Sequence, residues 1–102
     1  MTTGSKAEVH VVVVLKARPG KGAALLEALE AIIPAVRRED GCIRYELTVD
    51  RADADRAVML EVWRDEAALG RHETAAPFVS LAACFDELLA EPVALLKLQH
   101  RM

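Results

Sequence analysis

The patterned part of the chain begins with Glu8-Val9-His10-Val11-Val12-Val13-Val14-Leu15-Lys16, a continuous β-branched run closed by the turn-forming Arg18-Pro19-Gly20-Lys21-Gly22. Side chains branched at Cβ fit a pleated strand better than a helix, so this segment predicts the first strand. From Ala23 to Arg38 the period changes. Leu25, Leu26, Leu29, Ile32, Ile33 and Val36 recur at steps of three and four residues, opposite Glu27, Glu30 and Arg37, which predicts an amphipathic helix. Pro34 removes one amide donor inside it, so a kinked last turn or an early end is expected, and Asp40-Gly41 supplies the stop signal.

Strand-like alternation returns at Cys42–Val49, with Ile43, Tyr45, Leu47 and Val49 on one face and Arg44, Glu46 and Thr48 on the other. Asp50 to Asp55 reads as a polar turn. Ala57–Arg64 is the next strand, with Val58, Leu60 and Val62 on one face and Met59, Glu61 and Trp63 on the other, so the two predict an antiparallel hairpin. Asp65 has the chemistry of an N-cap for a helix running through His72. Pro77 starts a second helical piece carrying Phe78, Leu81, Ala82, Phe85, Leu88 and Leu89, ended by Glu91-Pro92, and Val93–Gln99 predicts the last strand.

The order β-α-β-β-α-β predicts an α+β, ferredoxin-like fold: an antiparallel sheet with both helices on one face. That leaves the other face bare, yet Val12, Val14, Ala94, Leu96 and Leu98 make it apolar. A second copy of the chain is the expected cover, giving a homodimer of sheets packed face to face and closed by two-fold symmetry.

Composition narrows this picture. With 102 residues the chain makes one domain, read as residues 8–102 behind a short, flexible polar tail at residues 1–7 that lacks the apolar core of a secretory signal. Apolar residues exceed half of the total but fall in short blocks, none long enough to cross a bilayer. Cys42 and Cys84 belong to no C-x-x-C pair, so reduced thiols in a cytoplasm are expected. Thirteen basic against sixteen acidic residues, mixed in sign, leave a net charge of −3 and argue against nucleic acid as a partner.

Two stretches resemble a known family. Glu39-Asp40-Gly41-Cys42-Ile43-Arg44-Tyr45-Glu46-Leu47 is similar to the entry into the second strand of the antibiotic biosynthesis monooxygenase family, an acidic residue and Gly-Cys followed by Tyr-Glu-Leu. Leu60-Glu61-Val62-Trp63-Arg64-Asp65-Glu66-Ala67-Ala68-Leu69, then His72, resembles its Glu-x-Trp, Asp-Glu-x-Ala-Leu, His signature. The resemblance covers nearly the whole domain. It implies a dimeric α+β barrel with a small cavity between sheet and helices in each protomer. It also implies kinship with oxygenases of quinols and polyketide phenols that need no cofactor, with haem-degrading enzymes and with an isomerase of a phosphorylated sugar, so the fold alone does not choose the chemistry. Two positions depart from the pattern: Ala75-Ala76-Pro77-Phe78 stands where the family often has Thr-Pro-His-Phe, and Ala57 stands where an aromatic is common.

Against that background His72 is the candidate general base, since imidazole exchanges a proton near neutral pH; the alternative is that it caps helix carbonyls or hydrogen-bonds Glu61. Trp63 can stack a planar substrate or aim its indole N–H at a developing phenolate, a role that resembles the tryptophan of the family's oxygenases, or it can simply fill the core. Glu61 is expected to orient a partner such as an arginine or His72. His10 and Tyr45 are candidate pocket residues on strands, and Phe78 and Phe85 candidate apolar walls. His72-Glu73 lacks the spacing of H-E-x-x-H, so no metal is expected.

The leading expectation is therefore a monooxygenase without organic cofactor, joining dioxygen to a small aromatic hydroquinone or phenol. The alternatives are an isomerase of a small carbonyl or phosphocarbonyl metabolite, with Arg44, Arg64 or Arg71 holding phosphate, a haem protein with His72 as axial ligand, and a non-catalytic dimer that binds a small molecule.

Overall fold

The β-branched run forms β1 (Val9–Lys16) at the centre of a four-stranded sheet. It pairs antiparallel with β3 (Asp53–Trp63) on one side and β4 (Ala94–Leu98) on the other, and β2 (Cys42–Asp50) pairs with β3, giving the order β2-β3-β1-β4. α1 (Gly22–Arg37) and the helical segments α2 (Glu66–Thr74), α3 (Ala76–Ala82) and α4 (Phe85–Leu88) complete a ferredoxin-like α+β fold. This structure, a computed structural model, describes residues 7–102, so all of the expected N-terminal tail except Ala7 lies outside the described residues.

Burial alternates along β1: Val9, Val11, Val13 and Leu15 point into the core, where they meet Ala57, Met59 and Trp63 of β3 and Leu25, Leu29 and Val36 of α1. Removing such side chains from water stabilises by about 25 cal/mol per Å² of apolar area, which makes this layer the main cohesive element. The other sheet face carries Val12 opposite Leu60 and Leu96, and Val14 opposite Val58 and Ala94. Those β1 and β3 residues are half-buried, while Leu96 and Leu98 are 60% and 45% exposed.

Several boundaries differ from the sequence reading. The polar turn shrinks from Asp50–Asp55 to Arg51-Ala52 between the strands, because the turn aspartates are satisfied by partners in the hairpin and in β1. Asp50 Oδ1 accepts from the Ala52 amide at 2.8 Å, Asp53 pairs with Lys16, and Arg56 Nη1 reaches Asp50 at 3.1 Å. In β2, Cys42 stands opposite Trp63 and Arg44 opposite Val62, so Ile43 is the extra residue of a β-bulge. The bulge sends Ile43 out to 54% exposure, against its predicted place on the face of Tyr45. Pro34 does not end α1: fully buried Val36 anchors the last turn, whose carbonyls at Ala35 and Val36 accept the amides of Arg38 and Glu39. The helical piece from Pro77 breaks at Ala83-Cys84 into α3 and α4, while its apolar stripe still buries Leu81, Leu88 and Leu89.

Gly41 turns the chain from α1 into β2 with φ +87°, a conformation that side chains resist. A Cβ there would also lie 2.4 Å from that of Ala68, so this turn is pressed directly against α2. Among the described residues no helix is long and apolar enough to cross a membrane, and Cys42 and Cys84 are both free thiols.

Candidate active site

A cavity of about 260 Å³ opens between the core face of the sheet and the helices. Its walls are mostly apolar: Met59 from β3, Leu69 from α2, Phe78 and Leu81 from α3, Phe85 from α4, Leu95 from β4 and Val93 just before it. The phenylalanine rings meet edge to face at 6.4 Å. Polar groups in the wall are Tyr45, Glu61, His72 and Glu73.

Local sequence places His72. Asp65 caps α2, its carboxylate accepting the Ala68 amide at 2.8 Å, and helical spacing then turns Ala68, Leu69 and His72 inward. The imidazole is 3% exposed and is held on several sides. It stacks on Trp63 at 4.6 Å, lies 5.3 Å from Phe78, and meets Tyr45 edge-on at 5.4 Å. Its Nδ1 is 3.0 Å from Oε1 of Glu39, which stands outside the cavity wall at the end of α1. That bond leaves Nε2 as the nitrogen available to the cavity.

Glu61 is 6% exposed, and its Oε1 accepts from the Trp63 indole N–H at 2.9 Å. Burial pushes the Glu61 carboxyl above the ordinary range, and the Trp63 hydrogen bond and the nearby His72 only partly offset this. Burial likewise raises Tyr45, with the charges of Glu61 and Glu39 adding to it, so the phenol stays a neutral hydrogen-bond donor. The Cys42 thiol is raised by burial and by the same two carboxylates. The site thus offers a fixed imidazole, a neutral phenol and a carboxyl biased toward its protonated form, facing apolar walls.

The structure brings together five of the predicted residues: His72, Glu61, Tyr45, Phe78 and Phe85 all line the cavity. Trp63 does not. It is fully buried behind the wall, with its indole N–H given to Glu61 and its face covered by His72, so neither is free for a substrate. His10 lies on the opposite sheet face, because its inward neighbours Val9 and Val11 leave it pointing out; it pairs in register with Val62 and Leu98 and stacks on His100 at 5.6 Å. Glu61 orients neither an arginine nor His72; its partner is Trp63. Arg44, Arg64 and Arg71 are all about half exposed, outside the wall, and paired with Glu46 or Asp40. The partner of His72 that sequence reasoning missed is Glu39, and the available signal was the acidic pair before Gly41 that the fold brings against α2.

Comparison with known proteins agrees with this architecture. Residues 8–83 match the family described as antibiotic biosynthesis monooxygenase. The chain is 36% identical over 86 residues to "Putative monooxygenase Rv0793" of Mycobacterium tuberculosis, covering 84% of each. It is 33% identical over 79 residues to "Putative monooxygenase YcnE" of Bacillus subtilis, covering 78% of this chain and 83% of that one. Among solved structures, PA3566 of Pseudomonas aeruginosa superposes with a TM-score of 0.89 at 32% identity, over 94% of this chain and 96% of that one. The structure of Rv0793 superposes with a TM-score of 0.89 at 31% identity, over 94% and 97%. With three quarters of its length inside the family match and the same fold around the cavity, the chain belongs to the antibiotic biosynthesis monooxygenase family.

Proposed function

We propose that the cavity is the active site of a monooxygenase that acts on a small hydroquinone or phenol, with His72 as general base. The observation that carries this reading is the immobilised imidazole, anchored through Nδ1 and packed between aromatic rings at the edge of an apolar cavity. The names of the relatives support the oxygenase class. The volume supports the size of the substrate: about 260 Å³ lies below the ~300–1,000 Å³ usual for drug-sized ligands, which suits one or two aromatic rings.

The chemistry follows from the wall. His72 Nε2 takes the substrate hydroxyl proton, and the oxyanion receives a hydrogen bond from the Tyr45 phenol. The electron-rich anion passes one electron to dioxygen, and the resulting radical pair joins in a carbon–oxygen bond. His72 then returns its proton to the outer oxygen. Breakage of the oxygen–oxygen bond, with loss of the ring hydrogen at that carbon, releases water and leaves a new carbonyl. One oxygen atom enters the ring, the other leaves as water, and the substrate supplies every electron.

Two copies pair through the open sheet faces in this reading, covering Val12, Val14, Leu60 and Leu96. Catalysis is tested by enzyme-dependent oxygen uptake over a panel of hydroquinones and naphthohydroquinones, corrected for autoxidation. His72→Ala is expected to lower turnover by about 10²–10⁴-fold, the usual contribution of a positioned base. Equal uptake with wild type and variant would remove this function.

A further inference from the structure

We infer that Glu39 is the positioning residue of the site, fixing the His72 imidazole in the tautomer whose unprotonated Nε2 faces the cavity. An ionised carboxylate only accepts hydrogen bonds, so the 3.0 Å contact between Glu39 Oε1 and Nδ1 puts the ring proton on Nδ1 and leaves the lone pair on Nε2. Neutral imidazole free in water has no such constraint, and a base with its proton on the wrong nitrogen cannot accept one from the substrate.

The backbone around Glu39 is built to hold this geometry. Its amide donates to Val36 O at 2.9 Å, its carbonyl accepts from Cys42 N at 3.1 Å, and Gly41 follows with a positive φ. These bonds tie the residue to the end of α1 and the start of β2 at once. The second carboxylate oxygen, Oε2, is buried without a hydrogen-bond partner among the described residues. Leaving a buried acceptor unsatisfied costs stability, and packing alone would be served as well by an apolar side chain. Since Glu39 does not line the cavity, it acts on a substrate only through His72.

The tautomer is independent of the identity of the substrate, whereas its effect on turnover rests on the function proposed above. Nitrogen-15 correlation spectra of the intact protein, at a pH where the ring is neutral, read the protonated nitrogen of His72 directly. Nδ1–H is expected in the wild type, with a shift toward Nε2–H in Glu39→Leu. In oxygen uptake, Glu39→Leu is expected to lower kcat by at least about tenfold, up to the ~10²–10⁴-fold of losing the base itself, with KM unchanged. Glu39→Gln keeps shape and volume while replacing the carboxylate with a weaker acceptor, so it is expected to move both readouts in the same direction by less, even if the leucine variant does not fold. Nε2–H in the wild type, or a tautomer and kcat indifferent to both substitutions, would overturn the inference. Nδ1–H in a protein that oxidises none of the panel would retain Glu39 as the positioning residue and discard the oxygenase reading instead.

Discussion

Glu61 is held where folding and ionisation oppose one another. Its carboxyl is buried in the cavity wall with one hydrogen bond from Trp63, and burial raises its proton affinity in the folded state. Between the ordinary carboxylate value and the raised folded value, the folded protein binds more protons than the unfolded chain, so this group makes stability fall as pH rises. The penalty is absent at low pH and complete above the folded value. Glu61→Gln, whose amide oxygen still accepts from Trp63, is therefore expected to be more stable than the wild type at pH 7 and equal to it near pH 4, as read from urea unfolding at each pH. His10 supplies the opposite case. Because it sits on the other sheet face, His10→Ala is expected to leave oxygen uptake per active site unchanged, and a large loss would place it in the chemistry. The family signature raised Glu61 as a candidate, and a histidine's place on a strand raised His10. The difference between them lay in strand alternation, which defines opposite faces without saying which one the helices cover.

Among the elements, α2 and the turn before β2 carry the site. Asp65→Ala removes the cap that starts α2 and is expected to cost about 1 kcal/mol, lowering the melting temperature by about 4–8 °C for a domain of this size. Gly41→Ala is expected to cost more, because it adds a Cβ both to a positive-φ residue and within 2.4 Å of Ala68. It should also loosen the Glu39–His72 contact, so its His72 tautomer is expected to shift in the same nitrogen-15 spectra; a melting temperature matching the wild type would refute the role given to this turn. Element types were legible because Val, Leu and Ile repeat at the period of each element, and the Asp65 cap was legible from local chemistry. The bulge at Ile43, the tight Arg51-Ala52 turn and the break at Ala83-Cys84 were not. The bulge and the turn depend on partners distant in sequence, Trp63 across the strand pair and Lys16 beside Asp53.

For the molecule as a whole, the face formed by Val12, Val14, Val58, Leu60, Leu96 and Leu98 sets the expected assembly. Sedimentation equilibrium is expected to give the mass of two chains for the wild type and of one chain for the double variant Leu60→Lys, Leu96→Glu. A monomeric wild type would refute pairing through this face. The apolar periods, the Asp65 cap, the two-sided grease of β1 and the family signatures are local, so the sequence by itself determined the element order, the ferredoxin-like fold and His72 as the candidate base. Tertiary structure alone decided that Glu39, 33 residues away, holds His72. It also turned Trp63 from a substrate contact into the support behind His72 and Glu61, and it excluded His10 and the arginines from the cavity. The physical reason is that a period of two or 3.6 residues says which side chains share a face, whereas the contact between two faces depends on how sheet and helices pack.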